Sequence, residues 1–325
     1  MVYNILYMVK RQVEKKAQHR KIWIVVVAVF LLGFLIGLGV LFGINKLTAS
    51  NTSDQPENTE NKDQEPEQKP EEPKEEPLKE VDFQPVVEAW VKSVSGNKSI
   101  LIYDLDLDKM VASYNTEEGY NTASLYKLFV VYEGYKRLAN GAWDGNARAG
   151  STGKTISTCL DLAIRESHSP CAETLWGMIG RTELDEIIKN EWGITGSKIS
   201  KLLSNVNDIM AIMKRFYDHP DFNDVGLLEA MWDSFLNQPK TTYEWRQGLP
   251  SGFSKASVYN KVGWAYNADG KYWNIYHDAA IVKFPLENGK TRNYIVVVMT
   301  NRIDFKDIRK LGEKIEAEFY GQKDI

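Results

Sequence analysis

Three serines in this chain stand three residues ahead of a lysine: Ser95 before Lys98, Ser124 before Lys127, and Ser151 before Lys154. A serine hydroxyl becomes a useful nucleophile only when a neighbouring base takes its proton. A lysine can be that base only when burial or a second cation loosens its own proton. The three pairs differ in their surroundings. Ser95/Lys98 lies in the turn SGNK, and Ser151/Lys154 in the loop STGK beside Gly150 and Gly153; neither leads into a buried element. Ser124/Lys127 opens the almost wholly apolar run NTASLYKLFVVYEGYKRLANG (121–141). Residues i and i+3 share a helix face, so Lys127 is expected one turn below Ser124, facing the same space, with Thr122 as a candidate cap. The helix start adds unpaired N–H groups and a positive dipole end, which can stabilise an oxyanion. The competing reading has Ser124 only capping the helix while Lys127 snorkels to water.

Two further stretches supply matching chemistry. RESHSPCAETL (165–175) puts Ser167 and Ser169 on a loop between two helices, with His168 between them. YNKVGW (259–264) puts Lys261, Gly263 and Trp264 on a strand. A different relay, Ser124 with His277 and Asp278, is disfavoured because adjacent strand residues point to opposite faces.

These side chains need a scaffold. VDFQPVVEAWVKSVS (81–95) has helical apolar spacing, and KSILIYDLDLDKMVASYN (98–115) reads as two short strands turning near LDLDK. TISTCLDLAIRES, CAETLWGMIGRTELDEIIKNEWG and SNVNDIMAIMKRFYDH read as helices, the last capped by Asn205 or Asn207. After residue 255 the β-branched and aromatic segments ASVYNKVGW, KYWNIYHDAAIVKF and RNYIVVVMTNRI predict a meander. The amphipathic DFKDIRKLGEKIEAEFYG closes the chain. A sheet built from both chain ends, with a helical lobe inserted, accounts for this order. Cys159 and Cys171, the two cysteines, are 12 apart across a predicted helix–loop–helix. A disulfide and two buried thiols both fit, whereas a zinc site lacks neighbouring ligands. The net charge of −4 gives no reason to expect a nucleic-acid partner.

The first 80 residues are different material. Residues 22–44 are 23 residues without a charge, about 34 Å as a helix, enough to cross a hydrocarbon core of about 30 Å. Lys10, Arg11, Lys15, Lys16, Arg20 and Lys21 precede the run against Glu14 alone, which predicts a cytosolic tail (1–21) and an exported remainder. A signal peptide cut near LTAS (47–50) is the alternative, although its apolar core is normally shorter. Residues 45–80, dominated by Pro, Glu, Lys, Asn and Gln, are expected to stay unfolded as a spacer of up to roughly 100 Å. The folded domain is expected over 81–325.

With all three motifs in place, the chain resembles the class A β-lactamases and the related penicillin-binding D,D-peptidases. Their signature is Ser-x-x-Lys, then Ser-Asp-Asn, then Lys-Thr-Gly on an edge-facing strand. GLPSG before the third motif and HDAAIV (277–282) after it agree. The resemblance implies an α+β fold with an antiparallel sheet, flanking helices and an all-helical lobe, acting without a cofactor or metal on β-lactams or a peptidoglycan stem peptide. It implies Ser124 as the acylated nucleophile, Lys127 as its proton partner, Ser167 as a shuttle to the leaving nitrogen and Lys261 as the substrate-carboxylate cation. It also implies Ser169 in the place of the substrate-holding Asn, an oxyanion hole from the Ser124 and Trp264 N–H groups, and Gly263 as clearance for substrate. There are departures: His168 and Ser169 replace Asp and Asn, and Val262 replaces a hydroxyl residue. The family's deacylating glutamate has no counterpart in NEWGITGSKISKLLSNVND (190–208), where Glu191 reads as a helix end, and Glu166 is misplaced by position. Slow deacylation is expected. A non-catalytic cell-wall-peptide binder on the same scaffold is the alternative.

Overall fold

Pro85 fixes the first turn of helix α1 (Gln84–Ser93), where a missing N–H costs nothing. Strands β1 (Asn97–Asp104) and β2 (Lys109–Tyr114) follow, then the short β3 (Tyr120–Asn121) and a 3-10 turn, Ala123–Leu125. The helical lobe contains α2 (Tyr126–Ala139), α3 (Ile156–Arg165), α4 (Ser169–Ile179) and α5 (Arg181–Asn190). It continues through β4 (Leu203–Ser204), α6 (Val206–Asp218) and α7 (Val225–Leu236). A single turn, α8 (Leu249–Gly252), leads to β5 (Ser257–Ala265), β6 (Ile275–Pro285), β7 (Thr291–Asn301) and helix α9 (Phe305–Gly321). This is a computed structural model, and it describes residues 78–236, 247–265 and 274–322. The predicted anchor at 22–44 and the spacer up to residue 77 lie outside the described residues. No described helix is long and apolar enough to cross a membrane.

The sheet order is β2-β1-β7-β6-β5 with every pairing antiparallel. β1 and β7 join the two ends of the domain, from Asn97 opposite Asn301 to Asp104 opposite Tyr294. Side chains alternate across a strand, and the sheet accordingly divides two cores. Leu101, Ala279, Ile281, Ile295 and Val297 face the helical lobe. Ile100, Ile102, Ala280, Val282, Val296 and Val298 face the terminal helices, with Val87, Trp90, Ile308 and Leu311.

The observed order matches the expected one, with local differences. The run from Cys171 to Gly193 is two helices rather than one, broken at Gly180, whose φ of +99° suits glycine. Asn205, not Asn207, caps α6, accepting from Asp208 N–H at 2.9 Å. Helix α7 escapes the sequence reading; only two charges, Glu229 and Asp233 one turn apart, mark its outer face, too few to set it off from its apolar remainder. Cys159 and Cys171 form a disulfide, resolving the alternative left open by the sequence. It joins α3 to α4 across the loop that carries Ser167.

Candidate active site

Ser124 is not on an α-helix proper but in the 3-10 turn that feeds α2. Thr122 does not cap it: the Thr122 side chain makes no capping bond and donates instead to Ala123 O. The turn is held from the other direction by Asn121. Its Oδ1 accepts the Ala123 N–H at 2.9 Å, and its backbone carbonyl accepts from His277 Nε2 at 2.8 Å. The β3–β4 ribbon and the bond from Thr122 N–H to Leu202 O at 2.8 Å complete the support. Ala123 is thereby held at φ +43°, a region a side chain disfavours.

Lys127 is completely buried. Its ammonium donates to Ser167 O at 2.5 Å, to Ser167 Oγ at 3.1 Å and to Ser169 Oγ at 3.1 Å, which uses all three of its protons. Desolvation lowers its pKa to about 8, against a smaller opposing pull from Glu173. Lys261 reaches the same hydroxyl from the sheet: Nζ donates to Ser167 Oγ at 2.9 Å and to Val262 O at 2.9 Å. It is also completely buried, and its pKa is lowered, first by desolvation and then by the Lys127 charge, with Asp278 opposing. Ser167 therefore joins two cations from different elements. Its φ of +51° is strained for serine; its hydroxyl meets both lysines and its carbonyl meets Lys127 alone.

The third motif lies against the first. A Cβ on Gly263 would stand 2.7 Å from Thr122 O, 3.0 Å from Leu125 Cγ and 3.3 Å from Leu125 N. The glycine thus clears space for the turn that carries Ser124, a tight approach that the sequence reading, which gave it only clearance for substrate, did not name. Val262 is completely buried in the core against the terminal helices, on the face opposite Lys261. It does not sit in a substrate-facing position, because alternation along β5 sends it inward. Its carbonyl, taken by Lys261, points away from β6. Two residues on, the Trp264 N–H and C=O share that direction and lie on the free edge of the sheet. The Trp264 indole is 38% exposed, the side chain lying on the outer rim.

His168 is the N-cap of α4, its Nδ1 accepting the Cys171 N–H at 3.2 Å. It fixes the loop between the two serines that hold Lys127. The Ser124–His277–Asp278 relay does not form. His277 is buried, its Nδ1 accepts the Thr300 N–H at 2.9 Å, and burial lowers its pKa to about 4, so it is a neutral strut. Asp278 faces away, accepting from Leu249 N–H and Asn260 Nδ2. The other two Ser-x-x-Lys pairs are elsewhere. Lys98 caps the end of α1 through Val91 O and Val94 O, and Ser151 is exposed on its loop.

These positions, and the sheet order that creates them, accompany a match of residues 82–319 to the sequence profile of the beta-lactamase enzyme family. The chain belongs to the beta-lactamase enzyme family. Comparison with curated proteins finds no match. Among solved structures, the family fold recurs in an ancestral class A beta-lactamase, that of the last common ancestor of Gram-negative bacteria. The TM-score is 0.60 at 13% identity, covering 74% of this chain and 99% of that one. A beta lactamase from Xanthomonas campestris pv. campestris aligns with TM-score 0.60 at 11% identity, covering 72% and 97%. PBP-A aligns with TM-score 0.59 at 17% identity, covering 73% and 97%. At these identities the likeness is one of fold, and the beta-lactamase-family site must be judged from its own residues.

Asn121, Tyr126, Glu173 and His277 carry parts of the site that the motifs did not name. Tyr126 Oη donates to Glu173 Oε1 at 2.7 Å, and Glu173 lies one helical turn beyond Ser169. The i, i+4 spacing from Ser169 was the one available signal for Glu173. Glu191 is accounted for differently: it ends α5 and pairs with Lys136 at 2.5 Å. Lys136 is nine residues along α2 from Lys127, about 14 Å at helical rise.

Proposed function

We propose that this protein is a serine acyl-transfer enzyme, acylated at Ser124 by β-lactams or by a D-Ala-D-Ala-type cell-wall peptide and deacylated slowly. The convergence of the Lys127 and Lys261 ammonium groups on one hydroxyl, Ser167 Oγ, carries this reading. In the proposed reaction, Lys127 in its neutral form takes the Ser124 proton as Oγ bonds to the substrate carbonyl carbon. The developing oxyanion lies between the Ser124 and Trp264 N–H groups. The C–N bond then breaks as Ser167 hands its own proton to the leaving nitrogen and recovers one from Lys127. Lys261 holds Ser167 in place and offers the substrate carboxylate a positive field, while Ser169 and the Gly263 edge flank the acyl group. Water later cleaves the acyl ester. The segment between α5 and α6 offers no carboxylate near Ser124 to activate that water, which favours slow turnover.

The protein is held at a membrane. Residues 22–44 anchor the chain as a single span, with 1–21 in the cytosol and the domain held outside on the 45–80 spacer; hydropathy and the flanking basic residues support this.

One observation favours the second reading, a non-catalytic binder of cell-wall peptide: Ser124 Oγ has no hydrogen-bond partner among the described residues, and all three Lys127 protons go to other oxygens. A fluorescent penicillin followed by intact mass decides. The expected result is a persistent adduct of the wild type that is absent from Ser124→Ala. Labelling with rapid release would refute slow deacylation. No labelling by any β-lactam or acyl-D-Ala-D-Ala probe would leave the binder.

A further inference from the structure

Glu173 lies outside the three motifs, yet it is tied into the site from two directions. Its Oε1 accepts from Tyr126 Oη at 2.7 Å, and its Oε2 pairs with the Arg181 guanidinium. Both partners are themselves fixed. Arg181 stacks 4.2 Å above the Trp176 ring, and Trp176 packs 5.0 Å from Tyr126. On the inner side, the Lys127 ammonium lies 5.7 Å from the centre of the Tyr126 ring and bonds Ser169, one turn before Glu173 on the same face of α4. The carboxylate is half-exposed, and its contacts are the Tyr126 hydroxyl and the Arg181 guanidinium rather than burial.

We propose that Glu173 is a positioning residue for acyl transfer, acting on Ser124 through Lys127 by holding that ammonium charged and directed at Ser167 and Ser169. The inference rests on Ser124 being the nucleophile, as set out above. The charged groups around Lys127 are few. Lys261 on β5 repels it, Asp278 on β6 acts on Lys261 through its charge while facing the other side of the sheet, Glu173 on α4 attracts it, and Arg181 on α5 neutralises Glu173 from the solvent side. Tyr126, on its own helix, is kept as the neutral phenol by burial and by Glu173. Before Lys127 can take the Ser124 proton it must lose one of its own and turn a lone pair toward that hydroxyl. Glu173 resists this step and Lys261 promotes it. Arg181 sets how strongly Glu173 is felt.

The two partners of this pair must therefore shift the pH dependence in opposite senses. The measurement is the rate of adduct formation between the full-length protein and a fluorescent penicillin from pH 6 to 10, for wild type, Glu173→Gln, Glu173→Asp and Arg181→Gln. Glu173→Gln removes an anion, so Lys127 deprotonates more readily and the acid limb moves to lower pH, by about half a unit or more. Arg181→Gln leaves the anion unopposed and moves the limb to higher pH. Glu173→Asp keeps the charge and stays near wild type. A purely structural role would change rates or stability at every pH and leave the midpoint where it was. Unmoved midpoints in a labelled wild type and labelled variants overturn the role of Glu173 alone, and so does a shift of both variants in the same direction. A wild type that never labels overturns both this inference and the proposed acylation.

Discussion

Two buried lysines sharing one serine hydroxyl are a costly arrangement, and the cost falls where the chemistry is proposed. Each has a folded pKa below its unfolded value, so the native state binds these protons less tightly than the unfolded chain does. Stability contributed by the neutral form is present at high pH and is lost as pH falls from the unfolded value of about 10.4 through the folded one. Replacing Lys261 by Met, of similar bulk, should raise the melting temperature at pH 7 while suppressing acylation; thermal scans and penicillin labelling of one preparation test both. In the wild type the acylation rate should climb with pH and level off above about pH 8, because neutral Lys127 is the proposed base. A pH-independent rate would remove Lys127 from that role. Lys127 could be picked out of three Ser-x-x-Lys pairs because only its neighbours formed a buried run. Glu173 and Asn121 could not, since their partners are 47 and 156 residues away. The inward face of Val262 could not be read from the motif, because a motif states residue identity, whereas alternation along the strand decides which face it joins.

At the scale of elements, the site is a seam where one turn, one loop and one edge strand meet, and each contact has its own fastening. Gly263 sets the distance between β5 and the 3-10 turn. In Gly263→Ala the new methyl would lie within 2.7 Å of the Thr122 carbonyl, a backbone atom with little room to yield. The expected cost is about 1–3 kcal/mol in stability, with slower acylation as the turn is displaced; denaturant titration and labelling check both. The Ser167 loop is fastened by His168 at the start of α4 and by the disulfide, which spans a sequence separation of 12. Cys159→Ser/Cys171→Ser should lose about 2–3 kcal/mol, the chain-entropy expectation for a loop of this length. Its labelling should fail at a lower temperature than global unfolding, if the loop loosens first. The strands and most helices were legible because their periods of 2 and 3.6 are strong. Helix α7 and the split at Gly180 were not. The first carries only Glu229 and Asp233 on its outer face, and a positive φ leaves only a glycine as its trace.

For the whole molecule, the sheet between two cores makes acid sensitivity a global property. His277, buried beneath the lobe, has its pKa lowered to about 4, chiefly by desolvation. Its contribution to stability is present above about pH 6.5 and is lost as pH falls toward 4. Glu316 on α9 accepts from the Ser254 hydroxyl and from the backbone N–H groups of Ser254, Lys255 and Ala256 just before β5; burial raises its pKa, but those bonds together lower it. Its contribution is present above the unfolded glutamate value of about 4.3 and goes as pH drops through the folded value. The melting temperature should therefore decline in two stages on acidification, and Glu316→Gln should remove the lower stage. The overall order of elements was readable because both chain ends carried strand-like segments that needed a common partner. The division into two cores was not read from the sequence, although alternation along the strands creates it.

The pairing of β1 with β7 has a consequence during synthesis. At about 5–20 residues per second, roughly 200 residues separate the birth of β1 from that of its neighbour, a delay on the order of 10–40 seconds. Through that interval the apolar Ile100, Leu101 and Ile102 have no neighbour on one flank. A chain stopped before Thr291 could not finish its sheet and would stay a sticky fragment, so the protein should fold only once nearly all of it has been made.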